Sequence, residues 1–472
     1  MADPLWTLGE VITATGAQCQ GDPAVHITGF SIDSRSIAQG EGFIAIRGPN
    51  RDGHDFVGKA LLAGAACAVV DEAFPKGEET QSVQVADTFD ALNDLGRAGR
   101  ARATDAIVIA VTGSVGKTGT KEALRLALAA SGTVHASSRS FNNHWGVPLT
   151  LANMPRAIDF GVFEIGMNHA GEIDTLTKLV RPHIAIVTTV APVHLGFFAS
   201  VEEIADAKAE IFHGLEPGGT AILNHDNPYF ERLEAHARKR GAEIVSFGED
   251  ERANARLLAS DLRPDGSTVT ADILGEPVSF RLGVPGRHVV QNTLAVLAAV
   301  KLSGANLVAA AEALGAVRAQ AGRGARCVIG PEGAQTCIVD ESYNANPASM
   351  RAALATLGLA PRREFRRRVA VLGDMLELGD EGPELHRDLA EAVDAAGVDV
   401  VFACGELMAS LFEALPQERQ GAYAQTSETL APALLKKVLP GDIIMVKGSL
   451  GSRMAPLVGA LKRRFEAEGP SA

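Results

Sequence analysis

The chain has 472 residues but few cysteines, and their placement excludes two kinds of site. The five are Cys19, Cys67, Cys327, Cys337 and Cys404, and no two of them form a C-x-x-C pair. Their odd number and scattered spacing argue against a disulfide framework and against a cysteine-ligated zinc site. We therefore expect a protein of a reducing cytoplasm.

The chain also lacks an excess of positive charge and a long apolar run. Its formal net charge is −13 and its pI is near 5.5. Because nucleic acids and membrane surfaces are polyanionic, this balance argues against a general binder of either. No apolar stretch approaches the roughly 20 residues that a membrane-spanning helix needs. One short basic cluster, RREFRRR at residues 362–368, is expected to be a solvated loop face.

The chain is too long for one hydrophobic core and carries no internal repeat, so several domains are expected. Predicted strands and helices alternate, which favours an α/β protein with parallel sheets. We predict three domains, at residues 1–103, 104–318 and 319–472, of which the third is Rossmann-like. The predicted strands lie at residues 42–46, 66–70, 108–111, 160–165, 185–190, 221–223, 336–340, 369–372, 398–404 and 443–446. The predicted helices include residues 56–63, 88–102, 289–302, 307–314 and 349–357.

Residues 106–121, AIVIAVTGSVGKTGTK, combine a β-branched strand with a glycine-rich loop and a helix. This layout is typical of a phosphate-binding loop, in which backbone N–H groups and the helix N-terminus converge on phosphate oxygens. Lys117 would reach the β- and γ-phosphates, and the Thr118 hydroxyl would hold Mg²⁺. The full pattern has glycine where this chain has Val111. The alternative is a glycine-rich turn without a ligand, but strand, loop, Lys-Thr pair and helix in register favour nucleotide binding.

Two polar residues follow predicted strands near this loop. Glu164 ends the strand that should adjoin the phosphate-loop strand, where a carboxylate can take Mg²⁺ from the nucleotide. His194 follows the next strand, and its expected place beside Glu164 in strand order favours a metal or γ-phosphate contact. The alternatives are a surface glutamate at a strand end and an ordinary loop histidine.

Lys208 falls within the apolar stripe of a predicted helix that Ser200 can cap, with Glu203 completing a capping box. A buried ammonium is costly unless it is paired or neutralised. Carbamylation by CO₂ would turn it into an anionic oxygen ligand for a second Mg²⁺. From the residues alone, a lysine whose stem is buried and whose ammonium reaches solvent is the favoured interpretation.

Together these motifs resemble the Mur ligases, the ATP-dependent amide-forming enzymes of bacterial cell-wall precursor synthesis. The resemblance spans nearly the whole chain. It is carried by the phosphate loop, FNNHWGVPLTL (141–151), FEIGMNHAGEI (163–173), APVHLGFF (191–198), AKAEIF (207–212), DESYNANPASM (340–350), LGDMLELG (372–379) with His386, and VKGSLGSRM (446–454). Two departures are Gly119, where a hydroxyl residue is usual, and Ser140, where asparagine is frequent. DESYNANP is the string that distinguishes the branch adding D-alanyl-D-alanine.

The resemblance implies a role for each matching residue. It implies a small N-terminal domain that binds a uridine nucleotide, a central P-loop domain that binds ATP, and a closing C-terminal domain. The implied catalytic residues are Lys117, Glu164, His194 and Lys208, with Thr118 and Glu164 on one Mg²⁺ and His194 and carbamylated Lys208 on a second. The implied ATP contacts are Gly113, Ser114, Val115, Gly116, Lys117, Thr118, Asn292, Arg323 and Asp340, with Arg326 as an alternative to Arg323. The implied substrate contacts are Ser34, Arg35, Asp52, Gly53, His54, Asn142, Asn143, Asn344, Asn346 and Lys447.

The resemblance also implies the partners. These are a UDP-N-acetylmuramoyl-tripeptide and D-alanyl-D-alanine, with ATP and two Mg²⁺ ions as cofactors, and a monomeric, cytoplasmic protein is expected. Another Mur ligase, a folylpolyglutamate synthase or a non-enzymatic P-loop switch remain the alternatives.

Overall fold

A computed structural model describes residues 4–19, 21–75, 81–137, 140–193, 195–331 and 335–467. Three main sheets occupy successive stretches of the chain, and all three contain parallel strands flanked by helices. The predicted α/β class is therefore confirmed. Within the described ranges, every helix is too short or too polar to cross a bilayer.

The first stretch forms a four-stranded parallel sheet of order β3-β4-β5-β6 beside a small antiparallel pair, β1-β2. Asp87 caps the long helix α3, and Gly99 of that helix packs directly on the central domain. A Cβ at Gly99 would lie 2.2 Å from the carbonyl oxygen of Leu151, so only glycine permits this approach. The elements are β1 (Trp6–Thr7), α1 (Leu8–Thr15), β2 (His26–Ile27), β3 (Phe30–Ser31), β4 (Gly42–Ile44), α2 (Val57–Leu62), β5 (Cys67–Asp71), β6 (Ser82–Val85) and α3 (Thr88–Arg102), with a 3-10 turn at Gly53–Phe56.

The second stretch forms a nine-stranded sheet of order β15-β14-β13-β12-β11-β10-β7-β9-β8. Strands β7 to β13 run parallel, whereas β14 and β15 form antiparallel hairpins that the sequence interpretation missed. The elements are β7 (Ile107–Thr112), α4 (Lys117–Ala129), β8 (Val134–Ala136), α5 (Gly146–Ala152), β9 (Phe160–Glu164), α6 (Glu172–Val180), β10 (Ile184–Val187), α7 (Val201–Ala209), β11 (Thr220–Asn224), α8 (Phe230–Lys239), β12 (Glu243–Gly248), β13 (Ala255–Arg263), β14 (Gly266–Ile273), β15 (Glu276–Leu282), α9 (Arg287–Leu302) and α10 (Leu307–Ala313).

Strand β7 lies near the middle of this sheet and is buried on both faces. Ile109 and Val111 face a core built with α4, α9 and α10, whereas Val108 and Ala110 face a second core built with α5, α6 and α7. A continuous β-branched run is what a strand covered on both faces requires. The phosphate loop therefore leaves a rigid strand and enters a helix packed on one of its faces.

The third stretch forms a six-stranded sheet of order β16-β17-β21-β18-β19-β20, parallel except for the edge strand β16. Neither edge strand, β16 nor β20, was predicted. The elements are β16 (Ala325–Ile329), β17 (Thr336–Glu341), α11 (Pro347–Gly358), β18 (Arg367–Gly373), α12 (Gly382–Arg387), α13 (Leu389–Ala395), β19 (Val400–Cys404), α14 (Met408–Ala414), β20 (Gln420–Ala424), α15 (Ser427–Lys437), β21 (Asp442–Lys447) and α16 (Ala455–Ala467).

The basic cluster at residues 362–368 is only in part the solvated face that its composition suggested: Arg362, Arg363 and Arg366 are exposed, whereas Arg367 and Arg368 are half-buried. Arg367 donates two hydrogen bonds to Asp442, a carboxylate with no exposed surface. Arg368 donates to the carbonyl oxygens of Ala396 and Ala360. These arginines tie β18 to its neighbours, because Asp442 and Ala396 come from distant parts of the chain.

Candidate active site

The phosphate loop is shaped by glycine and by contacts from the segment that follows strand β10. Gly116 has φ +86°, a left-handed conformation that favours glycine, and it directly precedes α4. The Ser114 N–H donates to the carbonyl of Thr189, and the Ser114 hydroxyl donates to that of Ala191. Lys117 Nζ donates to the carbonyl oxygen of Gly113 at 2.6 Å. The lysine thus lies folded over the loop where phosphates would enter.

Glu164 lies at the end of β9, which pairs directly with β7, so the predicted adjacency of the two strands is confirmed. Its Oε1 accepts hydrogen bonds from the Thr118 hydroxyl at 3.1 Å and from Asn142 Nδ2 at 2.7 Å. Its Oε2 is buried and has no hydrogen-bond partner in the described part of the chain. A buried carboxylate oxygen without a donor is a suitable ligand for a hard cation.

The chemistry of this donor set fits Mg²⁺ held jointly with a nucleotide. No group of three or more His, Cys, Asp or Glu residues that could hold a metal ion exists among the described residues. One carboxylate and one hydroxyl are nevertheless the usual protein share of a Mg²⁺ site completed by phosphate oxygens and water.

Lys208 points into the protein, as its place in the apolar stripe indicated, so the expectation that its ammonium reaches solvent was wrong. It is 2% exposed. Burial, together with the nearby charge of Lys117, lowers the pKa of Lys208 well below its ordinary value. A neutral amine is the form that reacts with CO₂, so the surroundings suit carbamylation, which stays a prediction.

The local structure around Lys208 corrects two details of the sequence interpretation. Ser200 caps α7 by accepting from the Glu203 N–H, but the Glu203 side chain accepts from the Ala199 N–H, so the capping box is incomplete. His194 lies outside the described residues. The strand before it is β10, and β7 lies between β10 and β9, the strand that ends at Glu164. The expectation that these two strands are neighbours was therefore wrong.

A cavity of about 930 Å³ lies between the central and C-terminal domains. The phosphate loop forms one wall and the loop after β17 forms the other. The predicted residues that line it are Ser114, Val115, Gly116, Lys117, Thr118, Asn142, Asn143, Glu164, Asn292, Arg323, its alternative Arg326, Asn344, Asn346 and Lys447. The remaining predicted residues that the structure describes are absent from its lining: Ser34, Arg35, Asp52, Gly53, His54, Gly113, Lys208 and Asp340.

Comparison with known proteins identifies the family of this three-part arrangement. Residues 26–99 match the Mur ligase family, catalytic domain; residues 111–300 match the Mur ligase middle domain; residues 325–450 match the Mur ligase, glutamate ligase domain. The UDP-N-acetylmuramoyl-tripeptide–D-alanyl-D-alanine ligase of Escherichia coli strain K12 is 32% identical over 462 residues, which cover 97% of this chain and 98% of that protein. The chain belongs to the Mur ligase family.

Further relatives agree with this assignment. The Bacillus subtilis strain 168 protein of the same name is 32% identical over 96% of this Mur ligase and 96% of its own length. A crystal structure of MurF from Acinetobacter baumannii is 30% identical, with a TM-score of 0.85 over 97% of this chain and 99% of that one. A Thermotoga maritima MurF ligase solved in complex with ADP shares the fold, with a TM-score of 0.78 at 24% identity over 93% and 98% of the two chains.

In the C-terminal domain of this Mur ligase, several predicted residues hold one another in place. Asp340 accepts from the Gly322 N–H at 2.9 Å and from the Ser342 hydroxyl at 2.6 Å, which fixes the start of the domain against β17. Lys447 Nζ, almost fully buried, lies 3.3 Å from Glu341 Oε2 and donates to the carbonyl of Asn344. Asn346 caps α11. These contacts shape the cavity wall. Asp340 does not line the cavity, and its hydrogen bonds hold Gly322 and Ser342 in place.

The two candidate arginines differ in position. The Arg323 Nη2 donates to the hydroxyl of Ser140 in the central domain at 3.3 Å, whereas Arg326 donates to the carbonyl of Pro264. The charge of Arg323 also contributes to the lowered pKa of Lys117, after the larger effect of burial. Arg323 is therefore the arginine that faces the phosphate loop.

The first-domain candidates form a separate polar group. Asp52 accepts from His54 Nδ1 at 2.6 Å, and His54 Nε2 accepts from the Asp71 N–H. Arg47, which the sequence interpretation did not single out, pairs with both Asp52 and Asp71. Arg35 lies elsewhere in the domain, on Asp33, and holds the pKa of that carboxyl at about 2.

Sequence reasoning also missed polar residues of the cavity wall, among them Asn168, Thr188, Asn224 and Gln291. Asn224 ends β11, and ligands of parallel sheets gather at the carboxyl ends of strands, so this rule could have found it. Gln291 directly precedes Asn292 on α9 and carries no comparable signal.

Proposed function

We propose that this Mur ligase joins D-alanyl-D-alanine to the terminal carboxylate of a UDP-N-acetylmuramoyl-tripeptide, using ATP. The observation that carries the proposal is one cavity with the phosphate loop on one wall and the Asn344–Asn346 loop on the other. The names of the full-length relatives supply the substrates. The product is the corresponding UDP-linked pentapeptide, a precursor of peptidoglycan.

The reaction proceeds in two steps. A carboxylate oxygen of the tripeptide bonds to the γ-phosphorus of ATP, the bond to the bridging oxygen breaks, and ADP leaves. The amine nitrogen of D-alanyl-D-alanine then attacks the acyl carbon, phosphate leaves with the carboxylate oxygen, and the amine loses a proton. Lys117 compensates the negative charge that develops on the transferred group, which is the main task of a protein in phosphoryl transfer. Placing both substrates in one cavity between domains keeps water away from the acyl phosphate.

Thr118 and Glu164 would hold one Mg²⁺ on the nucleotide, supported by the partnerless Glu164 Oε2. His194 and a carbamylated Lys208 would hold a second, supported by the burial of Lys208 and its lowered pKa. When bound, these ions would neutralise phosphate charge and so favour attack on phosphorus.

The N-terminal residues Ser34, Arg35 and Asp52–His54 are proposed to hold the uridine nucleotide, with Asn142 and Asn143 nearer the reacting end of the substrate. The proposed compartment is the cytoplasm, which the five free cysteines support. The expected monomer is a prediction that light scattering after size-exclusion chromatography would test.

Release of ADP provides the test. We expect release over many turnovers only when UDP-N-acetylmuramoyl-tripeptide and D-alanyl-D-alanine are both present, with pentapeptide as the product. Turnover with a single amino acid in place of the dipeptide would instead indicate another Mur ligase, and turnover with a folate and glutamate would indicate a folylpolyglutamate synthase. Slow ATP hydrolysis indifferent to every acceptor would indicate a P-loop switch.

A further inference from the structure

Tyr343 lies in the loop after β17 and carries no role in the reaction described above. It lines the cavity with 39% of its surface exposed. The Arg323 guanidinium lies over its ring, with Cζ 4.3 Å from the ring centroid. A planar guanidinium over an aromatic face is an attractive arrangement that also restricts how the arginine can turn.

The backbone fixes the position of this ring. The Tyr343 N–H donates to the carbonyl oxygen of Gly322 at 3.1 Å. Gly322 has φ +75°, and a Cβ there would lie 2.8 Å from Tyr343 Cβ. Only glycine allows the chain before Arg323 to approach the tyrosine this closely. Tyr343 is therefore anchored beside the segment that carries the arginine.

The same guanidinium also contacts the central domain. Its Nη2 donates to the Ser140 hydroxyl, and its charge is felt by Lys117 of the phosphate loop. The guanidinium thus joins the two walls of the cavity: it stacks on Tyr343 of the C-terminal domain and donates to Ser140 of the central domain.

We propose that Tyr343 is a positioning residue, whose ring holds the Arg323 guanidinium toward the γ-phosphate of bound ATP. This inference rests on the proposed function, which gives Arg323 its contact with ATP. Because Tyr343 precedes Asn344 and Asn346 on the same loop, it links the wall proposed for the amine substrate to the phosphate site.

The test compares binding of AMP-PNP and ADP by titration calorimetry with Mg²⁺ present, which requires neither tripeptide nor dipeptide. Tyr343→Leu should weaken AMP-PNP binding about fivefold, in line with a partly exposed cation–π contact, and leave ADP binding unchanged. Tyr343→Phe keeps the ring and should bind both nucleotides within about twofold of the parent chain. In an Arg323→Met background, Tyr343→Leu should have no further effect.

Three results would overturn the inference: unchanged AMP-PNP binding in Tyr343→Leu, equal weakening of both nucleotides, or a full additional loss in the Arg323→Met background. Urea unfolding of each variant checks the fold, and Tyr343→Met gives the same comparison if the leucine variant does not fold. A parent enzyme that fails to ligate the proposed substrates would refute the function instead. Arg323→Met binding AMP-PNP and ADP as the parent does would refute the role of Arg323 itself.

Discussion

Replacement of Glu164 by glutamine isolates the charge of the carboxylate from its hydrogen bonds. Glutamine has nearly the same shape, and its amide oxygen can still accept from Thr118 and Asn142, as Glu164 Oε1 does. The oxygen that has no partner becomes an amide nitrogen. The unfolding free energy should therefore change by no more than about 1 kcal/mol, because the new group is also unpaired but uncharged.

Activity should respond far more strongly. Two opposite unit charges about 4 Å apart in a partly buried site interact by about 4 kcal/mol, which corresponds to about a thousandfold in rate. We expect Glu164→Gln to lower kcat by about three orders of magnitude and to shift the Mg²⁺ requirement to higher concentration. The assay is coupled release of ADP, with Mg²⁺ titrated at saturating substrates.

Glu172 offers a matched control, since it is a carboxylate that lines the same cavity. Its oxygens already accept from the Asn168 N–H and pair with His169, so it lacks the unpartnered oxygen of Glu164. Glu172→Gln should retain activity within about tenfold and keep the Mg²⁺ dependence of the parent. A Glu164→Gln enzyme within twofold of the parent in kcat, with the same Mg²⁺ dependence, would refute the reasoning.

The remaining predictions concern the buried lysine, the loop glycine and the basic cluster. Lys208→Ala should lose turnover and partly regain it with bicarbonate or short carboxylic acids; full activity without them would refute the carbamate role. In carbonate-free buffer Lys208→Met should unfold at a higher temperature than the parent. This difference in unfolding temperature should shrink as pH rises toward 10.5, because the folded parent binds fewer protons at Lys208 than the unfolded chain does. Gly116→Ala should cost about 1–2 kcal/mol in urea unfolding and weaken ATP binding at least about tenfold, since φ is +86° and the new Cβ would lie 2.4 Å from Asn292 Nδ2. Arg367→Met should cost about 2–3 kcal/mol in urea unfolding, because the fully buried Asp442 loses its ion pair and keeps only the Leu439 N–H as a side-chain donor.

The chain supplies controls for two of these. Gly119 lies in α4, the helix that follows the loop, and a Cβ there meets nothing within 4 Å. Gly119→Ala should therefore raise the unfolding free energy by up to about 1 kcal/mol. Arg363, in the same basic cluster as Arg367, has a side chain that is 86% exposed, so Arg363→Met should change stability by less than about 0.5 kcal/mol. Equal changes in unfolding free energy for Gly116→Ala and Gly119→Ala, or for Arg367→Met and Arg363→Met, would contradict the contacts described.

Local signals were enough to predict the phosphate loop and its nearest partner. The strand, the glycines and Lys117 are contiguous in sequence, and the carboxyl-end rule brought Glu164 to the same edge of the sheet. Helical spacing placed Lys208 on the interior face of its helix, but the favoured expectation that its ammonium reaches solvent was wrong, because the residue is 2% exposed.

Long-range pairing escaped sequence reasoning. The order of β9, β7 and β10 depends on which strands exchange hydrogen bonds across the sheet, so the separation of β9 from β10 by β7 could not be read from their order along the chain. Asp442, the partner of Arg367, and Ala396, a partner of Arg368, likewise come from remote segments. Asp340 ends a strand as a ligand would, yet its oxygens are occupied by Gly322 and Ser342.

The hairpins at residues 255–282 were missed for a different reason. Much of β13 is exposed, so its burial gives no simple alternation, whereas β14 alternates and follows a Pro-Asp-Gly turn at residues 264–266. That turn is a recognisable hairpin signal. A search for antiparallel strands in a domain otherwise expected to be parallel would have found it.

The central claim is ligation through an acyl phosphate, and isotope transfer tests it most directly. The tripeptide substrate is labelled with ¹⁸O in its terminal carboxylate, and the released phosphate is analysed by mass spectrometry after complete turnover with ATP and D-alanyl-D-alanine. We predict one ¹⁸O atom in each phosphate and the other in the new amide of the pentapeptide. Phosphate free of ¹⁸O would contradict the account.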